Sequence, residues 1–502
     1  MTAWNTMSAI CASCTAGVPS FAGFATFATG MLFNSLVFAA FLPIVFALYW
    51  WLGKQLRAQN VLLIAAGFFF YGWWDPRFLL LLIATSLTDY FVALALGRTS
   101  DRSKRNWLLG FSLFGNLVTL GTFKYFDFFS AQFADLMARF GFSVSPILLD
   151  VVLPVGISFY TFQALSYTID VYRKRIEPVS DLSAFMAFIS FFPQLCAGPI
   201  ERASNMLPQF QRQRVFDPAL AADGMRQMLW GFFKKVVIAD GCAPVVNAIY
   251  DGTGPQGADS LALGAFLFAF QIYCDFSGYT DIALGLARLF GFELMRNFAY
   301  PYFSRDIAEF WRRWHISLSS WFRDYVYLPL GGSRGSRAMQ IRNVFIIFLL
   351  SGFWHGANWT FLAWGALNAI LFLPLLLRGK NKRHGTVAEV ATLRDLPAIL
   401  LTFACTTLAW VFFRADTISD AFGYLRGMVS PSLFHVPQQL DPWLLAMIAV
   451  LLVAEWLQRA RAHALHVAHL APWIRRMCYA GVFLLIFFFG HFTKAEFIYF
   501  QF

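Results

Sequence analysis

Charge is what this sequence has least of: 13% of its 502 residues are Asp, Glu, Lys or Arg, against 58% hydrophobic and 19% aromatic. These proportions lie outside the range of soluble globular domains. No Lys or Arg precedes Lys54, so the stretch ahead of Met31 lacks the cationic region that a cleavable secretory signal requires. Short alternating apolar and polar segments are missing too, which argues against a membrane barrel. The cysteines, at positions 11, 14, 196, 242, 274, 405 and 478, show no paired metal-ligand spacing and read as small apolar side chains. A phosphate-cradling glycine loop is absent, because Gly331-Gly332-Ser333-Arg334-Gly335 is too short and no lysine of the required kind follows it. Nor is there an internal repeat of the kind that marks many secondary transporters.

What is present is a succession of apolar runs, as uniform as Val344 to Leu350 and Val482 to Gly490, separated by short loops with charge, Gly or Pro. They predict an all-α polytopic membrane protein with about ten to twelve crossings. The Ser, Ala, Thr and Gly-rich residues 1–30 are expected to be an extension, either disordered or upstream of a start at Met31. Residues 31–502 are expected to form a single membrane domain, with a functional core at about 181–378. The net charge of +11 resides in loops, where anionic lipid and the positive-inside rule account for it and nucleic acid is not needed. Arg98 to Asn106, Arg173-Lys174-Arg175 and Arg378 to His384 are the basic loops expected to be cytoplasmic. Spans at about 32–52, 61–73, 78–96, 107–123 and 151–171 then place the N-terminus outside.

Two regions break the pattern. Between Asp181 and Gln213, the segment Phe191 to Arg202 interrupts an apolar run with two prolines, a glycine and then an expected Glu201–Arg202 ion pair. It reads either as a broken, re-entrant helix lining a cavity or as an interfacial loop. From Asp275 to Arg337, apolar pieces alternate with charges, and Phe292 to Leu330 reads as short amphipathic helices at the cytoplasmic interface. Asp275 and Asp281, six residues apart, do not share a helix face, so each needs its own partner or water.

Ile307 to Arg323 is expected to be one amphipathic helix with Trp311, His315, Leu318 and Phe322 on one face. His315 is followed forty residues later by His355, inside Ser351-Gly352-Phe353-Trp354-His355-Gly356-Ala357-Asn358-Trp359-Thr360. An imidazole at membrane depth is expensive and marks a functional site, and Gly352 and Gly356 allow close approach of another backbone or a ligand. The bland alternative for either histidine is a structural one with two hydrogen-bond partners. Zinc is unsupported, since two histidines without a third ligand make a poor site.

In these motifs the chain resembles a membrane-bound O-acyltransferase (MBOAT) of the bacterial alginate-acetylation type. The resemblance is carried by Phe192 to Arg202, Asp275 to Asp281, Glu309 to Tyr327, Leu330 to Arg334, Leu350 to Thr360 and the terminal Phe497 to Phe502. It implies a helical bundle in which re-entrant and interfacial helices surround a funnel and tunnel, with His355 at the constriction and His315 as the second family histidine. It further implies acetyl-CoA as acyl donor, no permanently bound cofactor and no metal. The product would be an O-acetylated exported polysaccharide such as alginate or cellulose, made across a bacterial inner membrane through a periplasmic SGNH-type transferase or acyl-relay protein. Acyl transfer to a hydroxyl needs a base and oxyanion donors. His355 is the expected base, or a transient acyl carrier. His315 is expected to orient the acyl group, donate to the oxyanion or relay a proton. Asn358, taken as one turn beyond His355, with Trp354 and Trp311, would position substrate, and Arg312, Arg313, Arg323 and Arg334 would meet the donor's phosphates or anchor lipid headgroups. The rival readings are a transporter or channel with a His/Asp pathway, and a D-alanyl transferase of another envelope polymer.

Overall fold

The computed structural model describes residues 31–381, 383–384, 389–492 and 497–498, and every regular element among them is helical. The N-terminal extension, Cys11, Cys14 and most of the terminal motif lie outside the described residues. Five described helices are long and apolar enough to cross a membrane: Arg77–Arg98, Ala258–Leu289, Trp359–Leu377, Leu393–Arg414 and Pro472–Phe489. Leu36–Trp51 and Pro442–Leu457 are apolar but shorter. Outward faces carry large apolar side chains such as Leu401, Phe487 and Phe488. This pattern suits lipid, where backbone groups must be satisfied within each helix.

Ala258–Leu289 is the axis of the molecule. Its 32 residues reach about 48 Å at helical rise, well beyond the hydrocarbon thickness. It lies against Pro218–Phe232 and the π-helical turn Phe233–Ala239 at a distance only glycine permits. A Cβ on Gly231 would meet the Gly278 carbonyl oxygen at 2.6 Å, and one on Gly285 would meet that of Gly224 at 2.4 Å. Small residues at such crossings let two backbones touch, which is how helices gain contact in lipid. The contact brings two lysines to the two aspartates: Lys234 pairs with Asp281 at 2.5 Å, and Lys235 with Asp275 at 2.7 Å and Asp240 at 2.8 Å.

The interrupted segment after Asp181 is a broken helix inside the protein: Leu182–Ile189, Phe192–Leu195 and Ala203–Gln211, with nearly every residue from 184 to 203 buried. Side chains supply partners for its irregular backbone, Gln163 and Gln194 both donating to the Phe188 carbonyl at 3.0 and 2.8 Å. The expected Glu201–Arg202 pair is not formed. Arg202 has extended backbone, so its side chain and that of its neighbour point to opposite sides. Arg202 meets Asp324 at 3.5 Å and lies over the Tyr325 ring, while Glu201 accepts from Asn205 at 2.9 Å and from the Met295 amide.

The expected single helix over Ile307 to Arg323 is two, Ile307–Arg313 and Ile316–Phe322, separated by His315 in left-handed backbone (φ 44°, ψ 56°). The cause is a crossing segment remote in sequence. The Ile316 amide donates to the Asn297 carbonyl at 2.9 Å, the Ala299 amide to the Arg313 carbonyl at 2.9 Å, and the Ser317 amide to the Asn297 side chain at 3.3 Å. These bonds replace the intrahelical ones, and Trp314, His315 and Leu318 end up buried in protein.

Removing one member of a buried charge group while leaving the others costs about 3–5 kcal/mol. Lys235→Met leaves Asp275 and Asp240 facing each other, so it is expected to lower the melting temperature of detergent-solubilised protein and the fraction recovered as a monodisperse species.

Candidate active site

Two helices folded back on each other bring His355 into position. Arg337–His355, capped by Ser336, runs to the histidine and stops where Gly356 is extended. Trp359–Leu377 returns along it, and glycines again set the spacing: a Cβ on Gly352 would meet the Phe361 carbonyl oxygen at 2.2 Å, and one on Gly356 the Phe361 ring at 2.1 Å. Asn358 caps the returning helix, its side-chain oxygen accepting from the Thr360 amide at 3.1 Å and its amide donating to the Asp416 carbonyl at 2.8 Å. It is therefore not one turn along the same helix from His355, because that helix has already ended.

His355 is 4% exposed and enclosed by rings, with Trp354, Trp364 and Phe413 at centroid distances of 5.0, 5.2 and 5.2 Å. His315, 1% exposed, meets the Phe276 ring edge-on at 4.7 Å and the Trp354 ring at 5.8 Å. The two imidazole centroids are 6.4 Å apart. The Trp354 ring bridges them, its centroid 5.8 Å from that of His315 and 5.0 Å from that of His355.

Cavities open beside His355. One of about 200 Å³ is lined by Trp74, Lys124, Gly156, Cys196, Trp354 and His355. A second, of about 430 Å³, is lined by Lys124, Gly356, Asn358, Thr360, Arg414 and Asp416. Beyond Phe298, behind His315, a polar pocket with Lys234, Tyr273, Asp281, Asn297 and Glu455 in its walls encloses only about 10 Å³, close to the room one water needs.

Of the other residues singled out in the sequence, Trp354 lies in the site and Trp311 one layer behind it, against Trp364 at 5.6 Å. The four arginines do not converge on the histidines. Arg312 donates to the Asn381 carbonyl at 2.9 Å, Arg313 is bound to Glu309 at 2.9 Å and to the carbonyls of Ala299 and Glu389, Arg323 pairs with Asp324 at 2.7 Å, and Arg334 is exposed. The loop that Arg312 and Arg313 contact is itself charged: His384 is hydrogen-bonded to Glu389 at 2.9 Å, which holds that carboxyl below its usual range.

Sequence reading missed Lys124, whose ammonium donates to the carbonyls of Trp354 and His355 at 2.8 and 2.9 Å. Its only sequence signal is a cation closing an apolar run, which reads as an interfacial anchor. It also missed Asp223, His463 and His466, whose ligand atoms lie within 4.8 Å of one another. There the carboxylate is already matched by Arg288 at 2.8 Å and Arg226 at 3.6 Å. With two guanidiniums beside it, the trio fits an ion-pair network tying residues after Leu457 to the core better than it fits a cation site.

The sequence profile of the membrane-bound O-acyltransferase family matches residues 157–381, a segment that contains both histidines and the broken helix. The chain is 39% identical over 403 residues to the probable alginate O-acetylase AlgI of Pseudomonas aeruginosa, an alignment covering 80% of this chain and 75% of that protein. The chain belongs to the membrane-bound O-acyltransferase family. It is also 38% identical over 450 residues to the peptidoglycan O-acetyltransferase of Helicobacter pylori, covering 82% of this chain and 83% of that protein. The teichoic acid D-alanyltransferase of Bacillus subtilis is 29% identical over 230 residues, covering 43% and 57%. The protein is thus an O-acyltransferase with several membrane-crossing helices. Within this family member, the helix Leu396–Arg414, outside the matched segment, closes the site with Phe413 against His355 and Trp410 against Trp364.

Gly356→Ala inserts a methyl where the Phe361 ring stands, and a displacement of about 1 Å at a reacting group costs on the order of 100-fold in rate. The variant is expected to lose at least a factor of ten in acyl transfer. Gly110→Ala, with nothing within 4 Å of its Cβ, is expected to leave the rate unchanged in the same assay.

Proposed function

We propose that this protein transfers acetyl groups from acetyl-CoA to a hydroxyl outside the bacterial inner membrane, with His355 as general base, for O-acetylation of an envelope or exported polysaccharide. The observation that carries the reading is the histidine pair itself: two buried imidazoles with centroids 6.4 Å apart, enclosed by aromatic rings and flanked by cavities. That spacing suits a thioester carbonyl lodged between them, its carbon open to a hydroxyl held by His355.

The step balances without any further reactant. The His355 imidazole takes the hydroxyl proton as the oxygen attacks the thioester carbon. The tetrahedral intermediate places negative charge on the former carbonyl oxygen, for which a His315 N–H is the donor. Collapse breaks the carbon–sulfur bond, and the thiolate leaves with the proton returned by His355. The products are an acetate ester and free coenzyme A thiol. Water competes with the hydroxyl for the same carbon, and the enclosing rings of Trp354, Trp364 and Phe413 keep it out.

Orientation follows from charge. Arg334, Arg337 and Arg342 cluster at the start of the helix that ends on His355, and cations of this kind favour the cytoplasmic face. On that reading the two larger cavities, at the helix's far end, face outward, where a periplasmic SGNH-type transferase or acyl-relay protein collects or directs the acetyl group. The donor arrives from the opposite side. Acetyl as the transferred group is supported by relatives of 38–39% identity over four-fifths of the chain that are named for O-acetylation, while the D-alanyltransferase likeness is weaker and shorter.

Purified protein given labelled acetyl-CoA, with alginate oligomers or peptidoglycan fragments as acceptors, tests this directly. His355→Ala is expected to reduce label transfer and thiol release by at least 1,000-fold, the combined scale of losing a general base and its orientation. Unchanged turnover in that variant would mean that another group is the base.

A further inference from the structure

The lysines at depth differ in what they face. Lys234 and Lys235 meet carboxylates at 2.5 to 2.8 Å. Lys124 meets carbonyls and the face of the Trp354 ring, 5.8 Å from its ammonium to the ring centroid; among the described residues no carboxylate pairs with it, and both of its hydrogen bonds go to the end of the histidine helix. It belongs to the π-helical turn Gly121–Tyr125, and the next residue of that turn acts alongside it: the Tyr125 hydroxyl donates to the Phe353 carbonyl at 3.0 Å. One turn therefore holds three consecutive carbonyls, those of Phe353, Trp354 and His355. These are among the four that a helix C-terminus leaves without intrahelical partners. A cation is the favoured partner there, since the helix dipole is negative at that end. π-helical turns recur at functional sites because the extra residue re-aims the side chains around it.

We propose that Lys124 is the positioning residue of His355. Its ammonium fixes the point at which the backbone leaves the helix for the extended Gly356, and through it the direction of the imidazole. The proposal rests on His355 being the base. The structure supplies two independent reasons to separate Lys124 from ordinary packing. First, Tyr125 already anchors the same helix end with a neutral group, so the fold has an anchor without the charge. Second, Lys124 lines both larger cavities beside His355, so it borders the space from which a reactant reaches the imidazole. A side chain that served only to hold two helices together has no reason to be the wall shared by both.

The test compares Lys124→Met, Lys124→Arg and Tyr125→Phe in the full-length protein in detergent, by acetyl-CoA-dependent thiol release and label transfer. Lys124→Met is expected to lower kcat by about 100-fold, the scale of a misaimed reacting group, with the KM for acetyl-CoA within twofold of wild type. Lys124→Arg, which keeps the cation and two donors, is expected to recover at least a tenth of the wild-type kcat, and Tyr125→Phe to stay within about fivefold. A kcat for Lys124→Met within twofold of wild type overturns the proposal. An arginine variant no better than the methionine one does so as well. Failure of Lys124→Met to yield monodisperse protein assigns the lysine to the fold and also overturns it. His355→Ala measured in parallel separates the two claims: if it stays active, the base assignment fails, whereas if it is inactive and Lys124→Met is normal, only the positioning role fails.

Discussion

Lys235 stands between Asp275 and Asp240 at 2.7 and 2.8 Å, and the helix that this clamp fixes sets the place of most other parts. Burying each of these groups alone costs several kcal/mol, so they are stable only together. They come together because glycine pairs let Pro218–Phe232 and Ala258–Leu289 touch backbone to backbone. From Ala258–Leu289 the connections radiate. The Phe276 ring abuts His315, the Tyr302 hydroxyl donates to the Ala269 carbonyl at 2.5 Å, the Tyr273 hydroxyl donates to Glu455, and the Ile498 amide donates to Asp275 at 2.7 Å. The last bond ties the far end of the chain to the same carboxylate that faces Lys235.

Cost was the legible quantity in the sequence. An aspartate or a histidine in an apolar run is improbable without a reason, and Asp275, Asp281 and the two histidines were all marked by it. Geometry created by remote partners was not legible. The 3.6-residue spacing of Trp311, His315, Leu318 and Phe322 describes a continuous helix, and nothing local announces that Asn297 and Ala299 will take over the hydrogen bonds at its middle. The same holds for Arg312 and Arg313: a dense cationic stretch looks like an anion site until Glu309 and the carbonyls of Ala299, Asn381 and Glu389 are seen to occupy it. Lys124 and the Asp223–His463–His466 group were invisible for a related reason, since their partners lie 230 and 240 residues away.

The site is also assembled from more than the segment that defines the family. Residues 157–381 bring both imidazoles, but the cation at the end of the histidine helix comes from before that segment, and the Trp410 and Phe413 rings from after it. The glycines perform the same service at two scales. They seat one helix against another in the core, and they let Phe361 lie directly on the backbone beside His355. In both places the absence of a side chain is what allows a functional group to be fixed by main chain.

The ring cluster around the two imidazoles has an electrical consequence. A protein that opens polar spaces on either side of one point in a bilayer threatens to short-circuit it, and each elementary charge leaking through 100 mV dissipates about 2.3 kcal/mol. Close-packed indole and phenyl surfaces disfavour a continuous file of water along which a proton or ion could travel, in the way that apolar constrictions close channels by dewetting. The rings that enclose the two imidazoles thereby also serve as insulation for the membrane potential.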